Sequence, residues 1–320
     1  MVNMMKAVQI HRLGSPEVLR YTEIEQPLPQ SGEVLVQVHA AGVNPVDWGS
    51  RSYPLPTTTG SPLASFPYIL GWDLAGTVVA LGTGVSRFSP GDAVYGMPCF
   101  PGEAKAYSEY TAVPASDLAR KPINLSWEQA AAIPMAALTA WQALFDTAHL
   151  QEGETVFISG GSGGVGHLAI QLAKWRGARV IAATSTRNLS FVREMGADMV
   201  IDYTCQTLDT INEGIDVALD MTSEDLLRQA FHKLKRAGRV VSLIRAHRDL
   251  GEQLASQRNA SYTFLLVYPS GEQLTTLTTL CERGELRVVI EAAFPLSEVA
   301  RAHQLSQKGH VRGKLVLTMY

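Results

Sequence analysis

The 320-residue chain contains little cysteine. Only three occur, scattered along the sequence without a CxxC pair: Cys99, Cys205 and Cys281. This spacing predicts neither a disulfide framework nor a cluster of thiolates around a metal ion. We interpret each thiol as a small buried hydrophobic side chain, and we expect the protein in a reducing cytoplasm.

Long apolar runs and a large excess of either charge are missing too. The most apolar stretch, residues 130–141, is shorter than the ~20 residues that cross a bilayer, and it contains Pro134. The first residues lack the apolar centre of a signal peptide. The net charge is −3, charged residues make up 18% of the chain, and there is no basic run. We therefore expect a globular protein that binds neither nucleic acid nor membranes.

What is present changes in character along the chain. Residues 5–120 consist of short strand patterns closely punctuated by glycine and proline, as in an all-β unit, with one long loop at residues 52–67. From Ser126, which forms a capping box with Gln129, helix and strand patterns alternate. Such alternation predicts an α/β fold whose parallel sheet is covered on both faces.

The alternating part accounts for one predicted domain. Six short apolar strands are predicted in it, at residues 156–158, 179–183, 199–201, 217–219, 239–243 and 262–267. Six strands match the doubly wound dinucleotide-binding, or Rossmann, fold. The end of the chain returns to a helix and then strands, which we expect to complete the N-terminal sheet. The predicted domains are therefore residues 1–124 with 269–320, and residues 125–268.

One segment, ISGGSGGVGHLAIQLAK at residues 158–174, fits two catalytic patterns. Gly160, Ser162 and Gly164 form G-x-S-x-G, the turn that presents a nucleophilic serine in hydrolases. That turn also needs oxyanion donors, often from an HGGG-type loop upstream, and no such loop is present. The serine-hydrolase interpretation is therefore the weaker of the two.

The same segment contains G-x-G-x-x-G, the turn that holds a dinucleotide pyrophosphate. In this pattern Gly161 makes the tight turn, Gly163 lets the backbone approach the pyrophosphate, and Gly166 allows close helix–strand packing. The helix that follows offers free N–H groups and the positive end of its dipole to the phosphates. Because the motif opens a six-strand unit, we favour this interpretation. The predicted phosphate-binding turn comprises Gly161, Ser162, Gly163, Gly164, Val165 and Gly166.

Six segments taken together resemble one known family. They are residues 40–48, 70–96, 131–144, 160–174, 196–203 and 309–317. They resemble the zinc-independent quinone oxidoreductase branch of the medium-chain dehydrogenase/reductases, over nearly the whole length. The resemblance implies a β-rich, GroES-like catalytic domain with a Rossmann domain inserted in it. It also implies NADPH as the cofactor and hydride transfer to quinones or α,β-unsaturated carbonyl compounds.

The metal positions of the family are changed in this chain. Zinc members carry a cysteine and a G-H-E motif where this sequence has Asn44 and Gly71-Trp72-Asp73. Tryptophan cannot ligate zinc, and asparagine is a poor ligand for it. The structural zinc lobe needs four cysteines, and the chain has three. We therefore expect no bound metal, and reduction of an electrophilic carbonyl compound rather than oxidation of an alcohol.

The segment after the second strand of the alternating unit favours NADPH over NADH. In NAD-binding proteins an acidic residue about twenty positions after the glycines holds the ribose 2′-hydroxyl. This chain has Thr184, Ser185 and Arg187 in that region, and no acid before Glu194. Hydroxyls and a guanidinium suit a 2′-phosphate, although the same residues also fit the N-cap of the next helix.

The resemblance assigns roles to four further side chains. Tyr203 matches a position that lines the adenine phosphate, and Thr139 matches one that contacts the nicotinamide. Asn44 would orient the substrate carbonyl or the nicotinamide ribose. Tyr53 would donate a proton, as a tyrosine does at a similar place in enoyl reductases. Structural interpretations stay open for three of them: a helix hydroxyl for Thr139, a turn residue for Asn44, and an exposed loop residue for Tyr53.

The sixth predicted strand bears on the assembly. Residues 262–268 are apolar, β-prone and uncharged, and an unpaired edge of that kind is prone to aggregate. We therefore expect a homodimer that pairs this edge with its symmetry mate. Two other functions stay open: a non-catalytic NADPH-binding structural or redox-sensing protein, and a serine hydrolase that uses Ser162.

Overall fold

The structure, a computed structural model, describes residues 3–53 and 66–319. It divides into two compact units, residues 1–138 with 268–320, and residues 139–267. The domain limits inferred from the sequence, at residues 124 and 268, stay a prediction. No helix in the described part of the chain has the length and apolar character needed to span a membrane.

The strands and helices follow the sequence patterns closely. The strands are β1 (Met4–Ile10), β2 (Arg20–Glu25), β3 (Glu33–Val43), β4 (Tyr68–Ile69), β5 (Leu74–Leu81), β6 (Ala93–Gly96), β7 (Tyr110–Pro114), β8 (Leu118–Arg120), β9 (Thr155–Ile158), β10 (Arg179–Thr184), β11 (Met199–Asp202), β12 (Ile215–Asp220), β13 (Leu234–Ser242), β14 (Ser261–Phe264), β15 (Ile290–Pro295) and β16 (Lys314–Thr318). The helices are α1 (Pro45–Ser52), α2 (Trp127–Ala131), α3 (Pro134–Trp141), α4 (Gly166–Trp175), α5 (Leu189–Glu194), α6 (Glu224–Lys233), α7 (Arg248–Arg258), α8 (Gly271–Glu282) and α9 (Val299–Gln307).

The first unit is built on strands. A three-stranded sheet has the order β2-β1-β4, and a larger sheet has the order β15-β16-β3-β5-β6-β8, with β7 also paired to β3. β3 is the centre of the larger sheet because its apolar positions alternate and are buried, as at Val34, Val36 and Val38. β16 pairs antiparallel with β3, with Leu315 opposite Val43. The last strand of the chain therefore adds to a sheet made by its first third.

The second unit confirms the predicted Rossmann sheet. Six parallel strands have the order β11-β10-β9-β12-β13-β14. β9 is an interior strand and all four of its residues are buried, which explains why three of the four are apolar. The strand order reverses between β9 and β12, and ligands of such folds bind at the carboxyl ends of the strands at that point. The predicted α/β fold class is therefore confirmed.

Two strand boundaries differ by three or more residues from the sequence prediction. The capping box at Ser126 begins α2 as expected, since its hydroxyl accepts from the Gln129 N–H at 3.2 Å. β14, however, ends at Phe264, three residues before its predicted end, because its partner β13 ends at Ser242, directly opposite. β13 in turn begins earlier than predicted, at Leu234. Residues 54–65 of the predicted long loop lie outside the described residues.

Candidate functional site

The glycine turn between β9 and α4 has a shape that only glycine permits at two places. Gly160 has a φ of +73°, in the left-handed region. A Cβ at Gly166 would lie 2.2 Å from the Gly160 carbonyl oxygen, so a side chain there would collide with backbone. Gly161 packs against strand and helix side chains, and its N–H donates to the Ala183 carbonyl at 2.9 Å. Gly160 is thus the residue of the turn with a left-handed backbone conformation. It lies one position before Gly161, the glycine to which the G-x-G-x-x-G motif assigns the tight turn.

The end of the turn is open. A Cβ at Gly163 would meet nothing nearer than 3.4 Å, so the backbone here can be approached closely. Gly164 and Val165 complete the turn, and the helix that starts at Gly166 has no side-chain cap in the described structure. An uncapped helix start leaves N–H groups and the positive end of the helix dipole for an anion. These features fit the pyrophosphate of a dinucleotide.

The Ser162 hydroxyl lies among polar side chains from the end of β10. It accepts hydrogen bonds from Thr184 Oγ1 at 3.0 Å and from Asn188 Nδ2 at 3.1 Å. Neither donor is a general base, and no histidine or carboxylate bonds to Ser162 among the described residues. The geometry is that of a hydroxyl held by neighbouring polar side chains rather than that of an activated nucleophile. Asn188 is a site residue that the sequence analysis missed.

The predicted ribose-side residues lie together after β10. Thr184 is buried at the end of the strand, whereas Ser185 and Arg187 follow it in a short turn with Arg187 exposed. Tyr203 is 40% exposed, and its N–H donates to the Thr184 carbonyl at 3.1 Å. Because β10 and β11 are parallel neighbours, these residues meet at one edge of the sheet. Thr139 is buried on α3.

An acid that the sequence analysis did not consider also lies at this edge. Asp202 ends β11, and its carboxylate accepts from the hydroxyls of Thr186 and Thr204, both at 2.6 Å. These two hydroxyls, in that order, hold the pKa of Asp202 below its usual value. The carboxylate is therefore ionised and already bonded to donors of the protein itself.

In the other unit, Asn44 stands at the point where β3 ends and α1 begins. It is 3% exposed. Its backbone N–H donates to Asp47 Oδ2 at 2.7 Å, which is the capping contact expected for this acid at the third position of the helix. Its side-chain Nδ2 donates to Asp73 Oδ2 at 2.9 Å, and its Oδ1 accepts from Lys314 Nζ. Asn44 is therefore bonded to the protein through both ends of its amide.

Asp73 and Lys314 come to Asn44 from the two strands that flank β3. Asp73 is fully buried, Lys314 is 4% exposed, and the carboxylate and ammonium are 3.6 Å apart. Asp73 Oδ1 also accepts the N–H of Met135 at 2.7 Å. Burial raises the pKa of Asp73 and lowers the pKa of Lys314, while the opposite charge of each partner counters both changes. Two hydrogen-bond donors, from Asn44 and Met135, and the Lys314 ammonium 3.6 Å away favour the ionised form of Asp73.

A second set of buried groups continues from Asp47. The Tyr107 hydroxyl donates to Asp47 Oδ2 at 2.8 Å, and His303 Nε2 lies 3.3 Å from the same hydroxyl oxygen. His303 Nδ1 lies 3.0 Å from Arg51 Nη1. Since arginine only donates, Nδ1 accepts, and Nε2 carries the proton of a neutral ring. We call these four residues, together with Asn44, Asp73 and Lys314, the buried polar network. Its members are Asn44, Asp47, Arg51, Asp73, Tyr107, His303 and Lys314.

Burial shifts two titrations in the network in opposite senses. Desolvation raises the pKa of Asp47 to about 7, against hydrogen bonds from the Asn44 N–H and the Tyr107 hydroxyl that lower it. Desolvation, with the positive charge of Arg51, lowers the pKa of His303 to about 3. Asp47 Oδ1 is buried without a hydrogen-bond partner in the described structure, which fits a carboxyl group that is protonated below neutral pH.

The other predicted residues of this unit behave differently. Tyr53 follows α1 and is 75% exposed; its N–H donates to the Gly49 carbonyl at 2.8 Å. Trp72 is fully buried against Phe100, with its Nε1 donating to the Gly102 carbonyl at 2.6 Å, so it is a core residue. Within residues 3–53 and 66–319, no three His, Cys, Asp or Glu side chains converge on a metal-sized site.

Comparison with known families matches segments of both units. Residues 30–123 match the alcohol dehydrogenase GroES-like domain, and residues 195–317 match the zinc-binding dehydrogenase domain. The chain is 34% identical to the NADPH-dependent alkenal/one oxidoreductase, chloroplastic, of Arabidopsis thaliana, over 98% of this chain and 79% of that protein. The chain belongs to the medium-chain dehydrogenase/reductase superfamily.

Solved structures similar to this dehydrogenase/reductase include a quinone oxidoreductase. The quinone oxidoreductase from Coxiella burnetii is similar with a TM-score of 0.90 and 35% identity, over 99% of this chain and 100% of that one. A mycobacterial protein solved in complex with NADPH is similar with a TM-score of 0.85 and 27% identity, over 98% of this chain and 100% of that one. The protein is thus an oxidoreductase of a family that depends on nicotinamide cofactors.

Sequence reasoning located the glycine turn of this dehydrogenase/reductase but missed most of the buried polar network. It named Asp73 only in the comparison with zinc members, and it did not single out Tyr107 or Lys314. The available signal was the set of charged residues inside apolar strand patterns, as at Lys314 in GKLVL. A buried lysine needs a nearby acid, so that pattern predicts a partner without saying which one.

Proposed function

We propose that this protein is an NADPH-dependent reductase that transfers hydride to quinones or α,β-unsaturated carbonyl compounds without zinc. The observation that carries the proposal is the open glycine turn at the uncapped start of α4, with Ser162, Thr184 and Asn188 beside it. A relative is named an NADPH-dependent alkenal/one oxidoreductase, and a structural neighbour is named a quinone oxidoreductase. Quinones and enones share an electrophilic carbon conjugated to a carbonyl group.

The preference for NADPH is supported by the groups after β10. Ser185 and the exposed Arg187 offer a hydroxyl and a guanidinium that suit a 2′-phosphate. Asp202, an acid at the same edge of the sheet, already accepts hydrogen bonds from Thr186 and Thr204. A carboxylate that already accepts these two hydrogen bonds is a weaker acceptor for the ribose hydroxyls than a carboxylate without them. We therefore keep Thr184, Ser185, Arg187 and Tyr203 as the cofactor-binding set on this side.

Zinc independence rests on the ligand chemistry at Asn44 and Trp72. Trp72 is a core side chain without a donor atom for a metal, and both ends of the Asn44 amide are bonded to the protein. Asp73, the last residue of the altered motif, is paired with Lys314. An ammonium beside these groups also disfavours a second cation.

Substrate activation falls to the residues of the chain itself. NADPH, when bound, supplies the hydride. Hydride addition to the β-carbon of an enone leaves an enolate with negative charge on the carbonyl oxygen. A hydrogen-bond donor must stabilise that oxygen, and the α-carbon must then receive a proton. We assign the donor role to Asn44, through the Nδ2 hydrogen that is not used on Asp73, and the proton to Tyr53 or water. Thr139 would contact the nicotinamide.

The proposed assembly is a homodimer in the cytoplasm. β14 is one of the two edge strands of the six-stranded sheet, and Leu266 and Tyr268 just beyond it are each 48% exposed. An apolar edge of this kind is stabilised by pairing with a second copy. A dimer mass in light scattering at micromolar concentration is expected, and a monomer mass would contradict it.

A panel of NADPH-consumption assays tests the function. Purified protein is mixed with NADPH and a quinone, an alkenal or a cyclic enone, with and without a chelator, and its zinc content is measured. Oxidation of NADPH by at least one of these compounds, unchanged by the chelator and without stoichiometric zinc, is expected. Tight NADPH binding without turnover of any compound would instead favour the non-catalytic binder, and labelling of Ser162 by a fluorophosphonate would favour the hydrolase.

A further inference from the structure

The Asn44 amide lies between a group that can only donate and a group that can only accept. The Lys314 ammonium has three donor hydrogens and no lone pair, whereas the Asp73 carboxylate has only acceptor oxygens. Asn44 Oδ1 faces Lys314, and Nδ2 faces Asp73 at 2.9 Å. If the amide were turned over, its oxygen would face the carboxylate and its NH2 the ammonium. Both contacts would then be repulsive, so only one orientation is stable.

The three positions are fixed by the sheet. Antiparallel pairing of Leu315 with Val43 brings Lys314 beside Asn44 from one neighbouring strand. On the other side, Ala41 pairs with Leu74 and the Gly42 N–H donates to the Asp73 carbonyl, which brings Asp73 alongside. Both charged side chains are buried, so water competes little for these contacts.

We propose that Lys314 and Asp73 are positioning residues that hold the Asn44 amide in the orientation its catalytic role requires. The proposal rests on the proposed function, in which one Nδ2 hydrogen of Asn44 donates to the substrate. With the other Nδ2 hydrogen on Asp73 and Oδ1 on Lys314, the remaining hydrogen has a fixed direction. A fixed donor stabilises a developing oxyanion better than one that must reorient during the reaction.

Asp73→Asn gives the sharpest single test of the arrangement. The carboxylate now uses separate oxygens for the Met135 N–H and for Asn44. An asparagine has one oxygen, so if it keeps the Met135 contact, its NH2 group faces the NH2 group of Asn44. Asn44 then turns over, and its own NH2 faces the Lys314 ammonium. No orientation of Asn44 satisfies both neighbours in this variant.

A double-mutant cycle on kcat/KM for an enone measures the coupling. Lys314→Met alone is expected to lower kcat/KM about tenfold, mainly through kcat, and Asp73→Asn at least as much. In an Asn44→Ala background, where there is no amide to orient, Lys314→Met is expected to change kcat/KM by less than about twofold. Equal effects of Lys314→Met in both backgrounds would overturn the proposal.

Two further measurements separate positioning from loss of structure. The NADPH Kd, from fluorescence titration, is expected to stay within about twofold of wild type in Lys314→Met; a large loss of binding would show that Lys314 acts on the cofactor and would also overturn the proposal. If Lys314→Met does not fold because it leaves Asp73 buried and unpaired, the charge-free pair Asp73→Asn/Lys314→Met replaces it in the cycle. That pair favours the reversed amide, so it is expected to be folded, to bind NADPH and to have low kcat.

Lys121→Met is the matched control. Lys121 is a half-buried lysine of the same unit that donates to the backbone carbonyls of Pro122 and Leu125 and has no contact with Asn44. Its kcat/KM is expected to stay within about twofold of wild type. The proposed function fails if the wild type reduces no quinone or enone. The positioning proposal fails on its own if the wild type is active and Asn44→Ala leaves kcat/KM unchanged.

Discussion

The glycine turn and the buried polar network hold their groups in opposite ways. The turn is a run of seven consecutive residues, 160–166, and its shape comes from the lack of side chains. The network joins residues as far apart as Asn44 and Lys314, and its shape comes from matched donors, acceptors and charges. We therefore expect substitutions that add side-chain atoms to disrupt the turn, and substitutions that remove a hydrogen-bonding or charged group to disrupt the network.

The difference also affects how each region responds to conditions. The groups of the turn are backbone amides and hydroxyls, which do not titrate in the physiological range. The network contains an acid and a histidine whose pKa values are shifted by burial. We therefore expect a change of pH to alter the stability of the network, and a larger side chain to alter the structure of the turn.

The largest effect is expected from a side chain at the centre of the turn. Gly166→Val places atoms 2.2 Å from the Gly160 carbonyl oxygen, so the start of α4 must move. We expect a loss of at least about 4 kcal/mol of unfolding free energy and no measurable NADPH binding. Gly163→Ala is the control in the same turn, because its nearest contact would be an ordinary 3.4 Å. Chemical denaturation should show near-wild-type stability for it, with weaker NADPH binding; equal stability of the two variants would remove the steric explanation.

The next effect concerns pH and the network. The folded Asp47 keeps a proton up to about pH 7 that the unfolded chain loses near pH 4, so this group lowers stability as pH rises, by about 4 kcal/mol over that range. His303 does the reverse: the unfolded ring takes a proton below pH 6.5 and the folded ring only near pH 3, so stability is lost as pH falls. The two contributions oppose each other between pH 4 and 6.5.

Single variants should separate these contributions. Relative to wild type, Asp47→Asn should gain about 1.4 kcal/mol per pH unit as pH rises from 4 to 7, and His303→Gln should gain about as much per unit as pH falls from 6.5 to 4. Denaturation curves at half-unit pH intervals measure both slopes. Slopes of the same sign for the two variants would contradict the assignment.

A smaller effect is expected at Arg187, which we propose to bind the 2′-phosphate of NADPH. Arg187→Ala should lower kcat/KM for NADPH by about 10- to 100-fold, since a charge-assisted hydrogen bond contributes about 1.5–3 kcal/mol. The value for NADH should hardly change, because NADH has no 2′-phosphate. Arg193→Ala, on the following helix, is the control. Steady-state assays with both cofactors decide it: a parallel loss with NADPH and NADH would mean that Arg187 acts on folding instead.

The smallest effect is expected at Tyr53. Its side chain is 75% exposed, so Tyr53→Phe should leave stability unchanged. Loss of a proton donor should slow enone reduction by at least about tenfold, with water as the substitute acid, and quinone reduction much less. Assays of an alkenal and an ortho-quinone measure the difference. Unchanged enone turnover would make Tyr53 an exposed residue beside the site and water the acid.

The sequence by itself determined the features that depend on neighbouring residues. Alternating strand and helix patterns predicted the six-stranded parallel sheet, because short buried strands and capped helices leave local signatures. The glycine spacing predicted the turn before α4 for the same reason. The end of β14 was placed wrongly, since it depends on where its partner β13 stops.

Only the tertiary structure decided what surrounds Asn44. Its amide is bonded to residues 29 and 270 positions away, and no local pattern encodes a register between strands so far apart. Asp202 beside Thr186 and His303 beside Tyr107 are hidden from the sequence in the same way. A charged residue inside an apolar strand pattern shows from the sequence alone that a partner of opposite charge is needed. Strand pairing determines which residue that partner is, and it thereby determines the orientation of the Asn44 amide between Asp73 and Lys314.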